Sequence, residues 1–283
     1  MNQPLWQPTE DQAQSSNMTA FMEKVEERWT IDIPDTDALH AFSIREREKF
    51  WQSVIAFAGI KAETWGERVL TNGDKMPGAK WFPDARLNFS ENMLQEWDDP
   101  GAECLVFWGE DKVKRRLTFA ETYEKVSVLS QALRHLGVQP GDRIGGYLPN
   151  MPEAVIAMLA ASSLGAVWSS CSPDFGVQGV LDRFGQIEPK VLFAADGYWY
   201  NGKRHDCLAK TKDIATGLNA LGSLEAVVII PYGDEDVDLG ALPGAVLLDN
   251  FTESFQPGDI DFTQLPFDHP LYILFSSGTT GTP

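Results

Sequence analysis

Positive charge is scarce in this chain of 283 residues: 23 Lys and Arg face 41 Asp and Glu, a net charge of −18 with a pI near 4.5. That balance argues against an indiscriminate polyanion binder, whose affinity comes from neutralising many phosphates, and no nucleic-acid partner is expected. Cysteine is also sparse. Cys104, Cys171 and Cys207 are odd in number, far apart and free of CxxC spacing, which excludes a disulfide scaffold and suits reduced thiols. His40, His135, His205 and His269 are scattered without metal-ligand spacing, so no metal site is expected. The most apolar stretch, 154–168, is interrupted by Ser162, Ser163 and Gly165 and falls short of the roughly 18 apolar residues of a membrane span. The N-terminal MNQPLWQPTEDQAQSS lacks the basic-then-apolar order of a secretory signal and carries acids that an organelle presequence avoids. A cytoplasmic protein with no membrane partner is the expectation. With 43% hydrophobic and 23% charged residues the composition is that of an ordinary globular protein.

Two regions are expected. Through residue 97 the pattern is helical and aromatic: Phe21, Val25 and Trp29 are four apart, and Phe50, Val54 and Phe57 recur at three or four. Asn88 and Glu91 form a capping pattern, and Asp98-Asp-Pro-Gly101 is the expected boundary. From 98 to 283 the periodicity alternates between strand and helix. Cys104 to Trp108 and Lys112 to Leu117 read as a hairpin, and Thr118 with Glu121 caps a helix that ends at Gly137. Strands at Arg143 to Leu148, Ala166 to Ser169, Val191 to Ala194 and Ala226 to Ile230 are separated by helices. The first of these helices opens with an Asn150/Glu153 cap and is apolar all round; the others lie near Gly176 to Ile187 and Asp206 to Leu221. The expected fold class is α/β, a parallel sheet flanked by helices and preceded by a helical extension. Leu271 to Phe275 reads as a last buried strand. Asp234-Glu-Asp-Val-Asp238 reads as a solvated acidic turn, and Lys112-Val-Lys-Arg-Arg116 as an edge strand kept soluble by its charges.

Ser276-Ser-Gly-Thr-Thr-Gly-Thr-Pro283 directly follows that strand. A Gly/Ser/Thr loop in this context offers backbone N–H groups and hydroxyls to phosphate oxygens, although a polar turn is the plainer alternative. No Lys follows Gly281 as GxxxxGK[ST] requires, so a P-loop is not supported.

The same residues resemble the phosphate signature of the AMP-forming acyl-CoA ligases, part of the adenylate-forming superfamily. Trp81-Phe-Pro-Asp-Ala-Arg-Leu-Asn-Phe-Ser-Glu-Asn92, Ser169 to Phe184, Gln186 to Phe193 and Asp196 to Lys203 extend the resemblance across the chain, to the acetoacetate-activating branch. The resemblance implies two steps, adenylation of acetoacetate by ATP with Mg2+ and transfer of the acyl group to CoA. No tightly bound cofactor is expected. It places ATP phosphates at Ser276, Ser277, Gly278, Thr279, Thr280 and Gly281, and CoA at Lys203, Arg204, Asp174 and Phe175. The bland readings are a solvated basic loop and a strand-to-helix turn with Phe175 in the core. Family members are more than twice as long, so the resemblance further implies an N-terminal portion, inactive alone, of an incomplete α/β subdomain. The alternatives are an acetyl- or propionyl-activating ligase and a nonenzymatic module binding CoA or a partner.

Overall fold

The computed structural model describes residues 5–94, 97–233 and 236–276. Its contacts divide the chain into two compact units, one ending at Ala85 and one beginning at Arg86.

The first unit contains α1 (Glu10–Gln14), α2 (Asn17–Trp29), α3 (Thr36–Arg45), α4 (Arg47–Phe57) and a short antiparallel pair, β1 (Leu70–Thr71) with β2 (Lys80–Trp81). Caps start its helices: Ser16 accepts from the Thr19 N–H and Asp35 from that of Ala38. Of the expected stripe, Phe21 and Val25 are buried beside Ile33, Leu39 and Phe42, Trp29, Phe50 and Val54 pack partly buried against them, and Phe57 is exposed. The Trp29 indole donates to Ser53 at 2.8 Å, which satisfies the polar end of a large apolar ring.

The second unit begins with β3 (Arg86–Leu87) and α5 (Phe89–Met93), twelve residues before the boundary read from the sequence at 97. Buried polar bonds explain the difference. Asn88 caps α5 through its Oδ1, while its Nδ2 donates to the carbonyls of Ser162, Ser163 and Thr263 at 2.8–3.1 Å. Ser90 donates to the Leu159 carbonyl at 2.7 Å, so this segment is fastened to the α/β core.

The expected alternation follows: β4 (Glu103–Gly109), β5 (Val113–Thr118), α6 (Phe119–His135), β6 (Arg143–Tyr147), α7 (Pro152–Ser163), β7 (Val167–Cys171), α8 (Val177–Ile187) and β8 (Val191–Ala195). Next come β9 (Gly197–Tyr200), β10 (Lys203–Asp206), α9 (Leu208–Asn219), β11 (Ala226–Ile230), β12 (Ala245–Leu247), α10 (Leu248–Thr252) and β13 (Leu265–Pro266). Thr118 and Glu121 form the expected capping box of α6, and Gly137 takes the left-handed conformation past its end. The cap expected from Asn150 and Glu153 does not form. Glu153 instead accepts both terminal nitrogens of Arg115 at 2.6 and 2.9 Å, and Pro152 opens α7 without a side-chain cap.

Five parallel strands make the sheet, in the order β12-β11-β8-β6-β7. Val191 to Ala195 in the central β8 are completely buried, as a strand covered on both faces requires. Gly146 in β6 is sterically required, because a Cβ there would lie 2.6 Å from the Trp168 ring. The chain runs outward from β6 to β7, then returns past β6 to β8. The connections reverse direction between β6 and β8, and in doubly wound sheets the carboxyl ends of strands at such a reversal are the usual ligand position.

Leu271 to Phe275 lies along β7 and is only partly a strand. Trp168 and Tyr272 form one parallel bridge, the Trp168 N–H donates to the Leu271 carbonyl and the Ile273 N–H to that of Trp168. The burial expected for this segment is absent on one face, where Leu274 is 80% exposed, because only β7 flanks it among the described residues.

Candidate active site

Two connections leave the carboxyl ends of strands at this reversal. After β7 the loop 172–175 carries Asp174 and Phe175; after β8 the β9–β10 hairpin carries Lys203 and Arg204.

Asn201 and Gly202 form the hairpin's two-residue turn with φ of 51° and 72°, the Asn-Gly signature whose twist matches paired strands. Glu110, itself left-handed at φ 49° in the β4–β5 turn, accepts from the N–H groups of both turn residues at 2.6 and 2.8 Å. Directly opposite residues share a face in an antiparallel pair, and Lys203 is paired with Tyr200, Arg204 with Trp199, and His205 with Tyr198. Lys203, Tyr200, Tyr198 and His205 therefore share one face, where the His205 ring stacks on Tyr198 at 5.1 Å.

Arg204 is on the other face. Its Nη2 donates to the buried carboxylate of Asp196 at 2.5 Å, and Asp196 also accepts from the Tyr232 N–H at 2.7 Å. Adjacent in sequence, the two basic residues are thus separated in space, and Arg204 neutralises an acid of the fold.

Loop 172–175 is fixed from several directions. The Asp174 carboxylate accepts from the Tyr198 hydroxyl at 2.6 Å and from Ser172 at 3.0 Å. These two hydrogen bonds, Tyr198 first, hold the Asp174 carboxyl below the usual carboxylate range. Burial, followed by that same bond, pushes the Tyr198 phenol up. Tyr147, at the end of β6, presents its hydroxyl to the carbonyls of Pro173 and Phe175 at 2.9 and 3.0 Å. Lys210 donates to the Pro173 carbonyl at 3.2 Å. Phe175 is 40% exposed, so it is not the core residue of the bland reading.

Of the expected phosphate loop, Ser276 is described and exposed; Ser277, Gly278, Thr279, Thr280 and Gly281 lie outside the described residues, as do Asp234 and Glu235 of the acidic turn. Ser276 follows Phe275, whose ring lies 5.9 Å from the Arg183 guanidinium carbon. The same carbon lies 4.4 Å from the Phe175 ring. Arg183 thus lies beside both Phe275 and Phe175, a position that its place on α8 did not reveal. The Asn201-Gly202 turn was a readable sign of the hairpin, and with it of the separation of Lys203 from Arg204.

Among the described residues no three His, Cys, Asp or Glu converge as an ion site would need, and no helix is long and apolar enough to cross a membrane. Cys171 and Cys207 are buried, and burial pushes both thiols up to about 11.

A doubly wound parallel sheet whose segment 271–276 lies along β7, followed in the sequence by a Ser/Gly/Thr run, defines a class, and the comparisons agree. The chain belongs to the AMP-binding enzyme family, which matches residues 95–283, while residues 36–93 match the acetyl-coenzyme A synthetase N-terminus. Within that class it is similar to the acetoacetyl-coenzyme A synthetase of Rhizobium meliloti (strain 1021), 48% identical over 281 residues, covering 99% of this chain and 42% of the relative. The solved acetoacetyl-CoA synthetase from Streptomyces lividans superposes with a TM-score of 0.90 at 39% identity, covering 100% of this chain and 42% of that one. The malonamoyl-CoA synthetase of Penicillium aethiopicum is 38% identical over 283 residues, covering 95% of this chain and 38% of the relative. The chain therefore spans about two fifths of the length of the relatives it matches.

Proposed function

We propose that this chain is part of an AMP-forming ligase that activates acetoacetate and passes it to CoA. The observation that carries the reading is the seating of 271–275 beside β7, which directs Ser276 toward the end of the sheet that also holds Asp174 and Phe175. The similarity to acetoacetyl-CoA synthetases supports the choice of acid over acetate or propionate.

A carboxylate resists attack by a thiol because an oxide anion is a poor leaving group. In the first step a carboxylate oxygen of acetoacetate attacks the α-phosphorus of ATP, and pyrophosphate departs with the electrons of the broken P–O bond. In the second the CoA sulfur, as thiolate, bonds to the acyl carbon and AMP leaves. Ser276, Ser277, Gly278, Thr279, Thr280 and Gly281 act by donating N–H and O–H groups to phosphate oxygens, which offsets the charge that accumulates there. Lys203, on the exposed face with Tyr200, meets a phosphate of CoA, and Asp174 and Phe175 border its passage. Arg204 contributes through the hairpin's fold. ATP chemistry implies magnesium, which would offset charge on the phosphates when bound; among the described residues no three His, Cys, Asp or Glu converge.

The test is acetoacetate-dependent AMP formation from ATP and CoA in the protein at the length of its relatives, with acetate and propionate as competitors. Acetoacetate is expected to be the best acid, and Lys203→Ala to raise the KM for CoA while sparing that for ATP. Absence of AMP with every acid, with CoA still bound, would replace the ligase with a CoA-binding module.

A further inference from the structure

Arg183 is a buried cation that forms no ion pair among the described residues. Such a group is costly unless something else stabilises it. Its Nη1 donates to the Gly179 carbonyl at 2.7 Å, one turn back along α8. Otherwise the guanidinium is held by two rings, Phe175 at 4.4 Å and Phe275 at 5.9 Å from its central carbon. A planar, weakly hydrated cation suits aromatic contact better than an ammonium does. The two rings belong to different connections: Phe175 ends the loop of Asp174, and Phe275 immediately precedes Ser276.

We propose that Arg183 is a positioning residue that ties the stem of the phosphate loop to the CoA-side loop. One guanidinium then sets the distance between the place where the adenylate forms and the place where the thiol enters. The inference rests on the site reading given above. Its distinctive consequence is that damage to one loop is felt at the other.

The experiment uses the full-length protein and measures the half-reactions separately. Acetoacetate-dependent exchange of pyrophosphate into ATP, without CoA, gives the KM for ATP; thioester formation gives the KM for CoA. Lys203→Ala and Thr280→Ala are the references for the CoA and ATP ends. Arg183→Met keeps the apolar stem and removes the cation, and it is expected to raise both KM values roughly three- to tenfold. Arg183→Lys restores charge without the plane and is expected to recover only part of the loss. Phe175→Leu, which leaves the buried charge in place should Arg183→Met fail to fold, is expected to raise the KM for ATP even when CoA is absent. If both references shift their own substrates while Phe175→Leu and any folded Arg183 variant leave the KM for ATP within about twofold of the parent, Arg183 only stabilises α8 and the proposal is overturned. If the references themselves leave both KM values unmoved, the site reading fails first.

Discussion

Arg204→Ala separates a ligand contact from an ion pair of the fold. Asp196 is buried and accepts from Arg204 at 2.5 Å and from the Tyr232 N–H at 2.7 Å. Removing the guanidinium leaves the carboxylate in the protein with one of these two donors. Breaking a fully buried pair costs about 3–5 kcal/mol. The Arg204 side chain is 32% exposed, so water replaces part of the lost interaction and about 2–3 kcal/mol is the expected loss. For a unit of this size that corresponds to a fall in Tm of about 4–12 °C. Thermal unfolding of the 283-residue chain, followed by near-UV circular dichroism, reads it directly. Asp196→Asn is the second arm, since an amide oxygen still accepts from Tyr232 without carrying a buried charge. The double variant is expected to lose less than the sum of the two singles, as coupled partners do. Lys203→Ala, on the opposite face, is expected to leave Tm unchanged. A Tm for Arg204→Ala within about 1 °C of the parent, together with a raised KM for CoA in the full-length protein, would refute this assignment and return Arg204 to the ligand.

Asn88→Ala removes a cap and a donor shared by two buried carbonyls and a half-buried one, for an expected loss of about 2–4 kcal/mol in urea unfolding; less than about 1 kcal/mol would mean that water or a neighbour takes over these bonds. At pH 8 Cys171 and Cys207, with thiols raised to about 11 by burial, are expected to resist iodoacetamide until the chain is unfolded. Labelling of either in the folded chain at the rate of a free thiol would contradict the burial. Asp174 titrates below the ordinary carboxylate range because the ionised form accepts from Tyr198 and Ser172. An acid depressed by folding adds stability above its unfolded pKa and loses it as pH falls through the folded one. The carboxyl carbon resonance of Asp174 is accordingly expected to titrate higher in Tyr198→Phe than in the parent; equal midpoints would remove Tyr198 as the cause.

Much of the second unit was readable because its signals are local. The Thr118/Glu121 box spans three residues, Gly137 needs only its own φ, and the continuous apolarity of Val191 to Ala194 announces a strand covered on both sides. Where the sequence was misread, a distant partner had won. Glu153 has the spacing of a capping residue, yet Arg115, 38 positions away, holds it with two charge-assisted bonds that a cap does not match. Asn88 has the spacing of a cap and forms one, but its amide reaches Thr263, 175 positions away, and thereby joins its segment to the α/β unit.

The sequence by itself determined the periodicity, the turns and the Ser/Gly/Thr loop with its family resemblance, since each is written in a few neighbouring residues. Tertiary structure alone decided the strand order that reverses between β6 and β8, the turning of Arg204 inward to Asp196, and the approach of Arg183 to both Phe175 and Phe275. Those outcomes depend on which groups meet across long separations, and a buried charge takes whatever compensation the packed chain brings within reach.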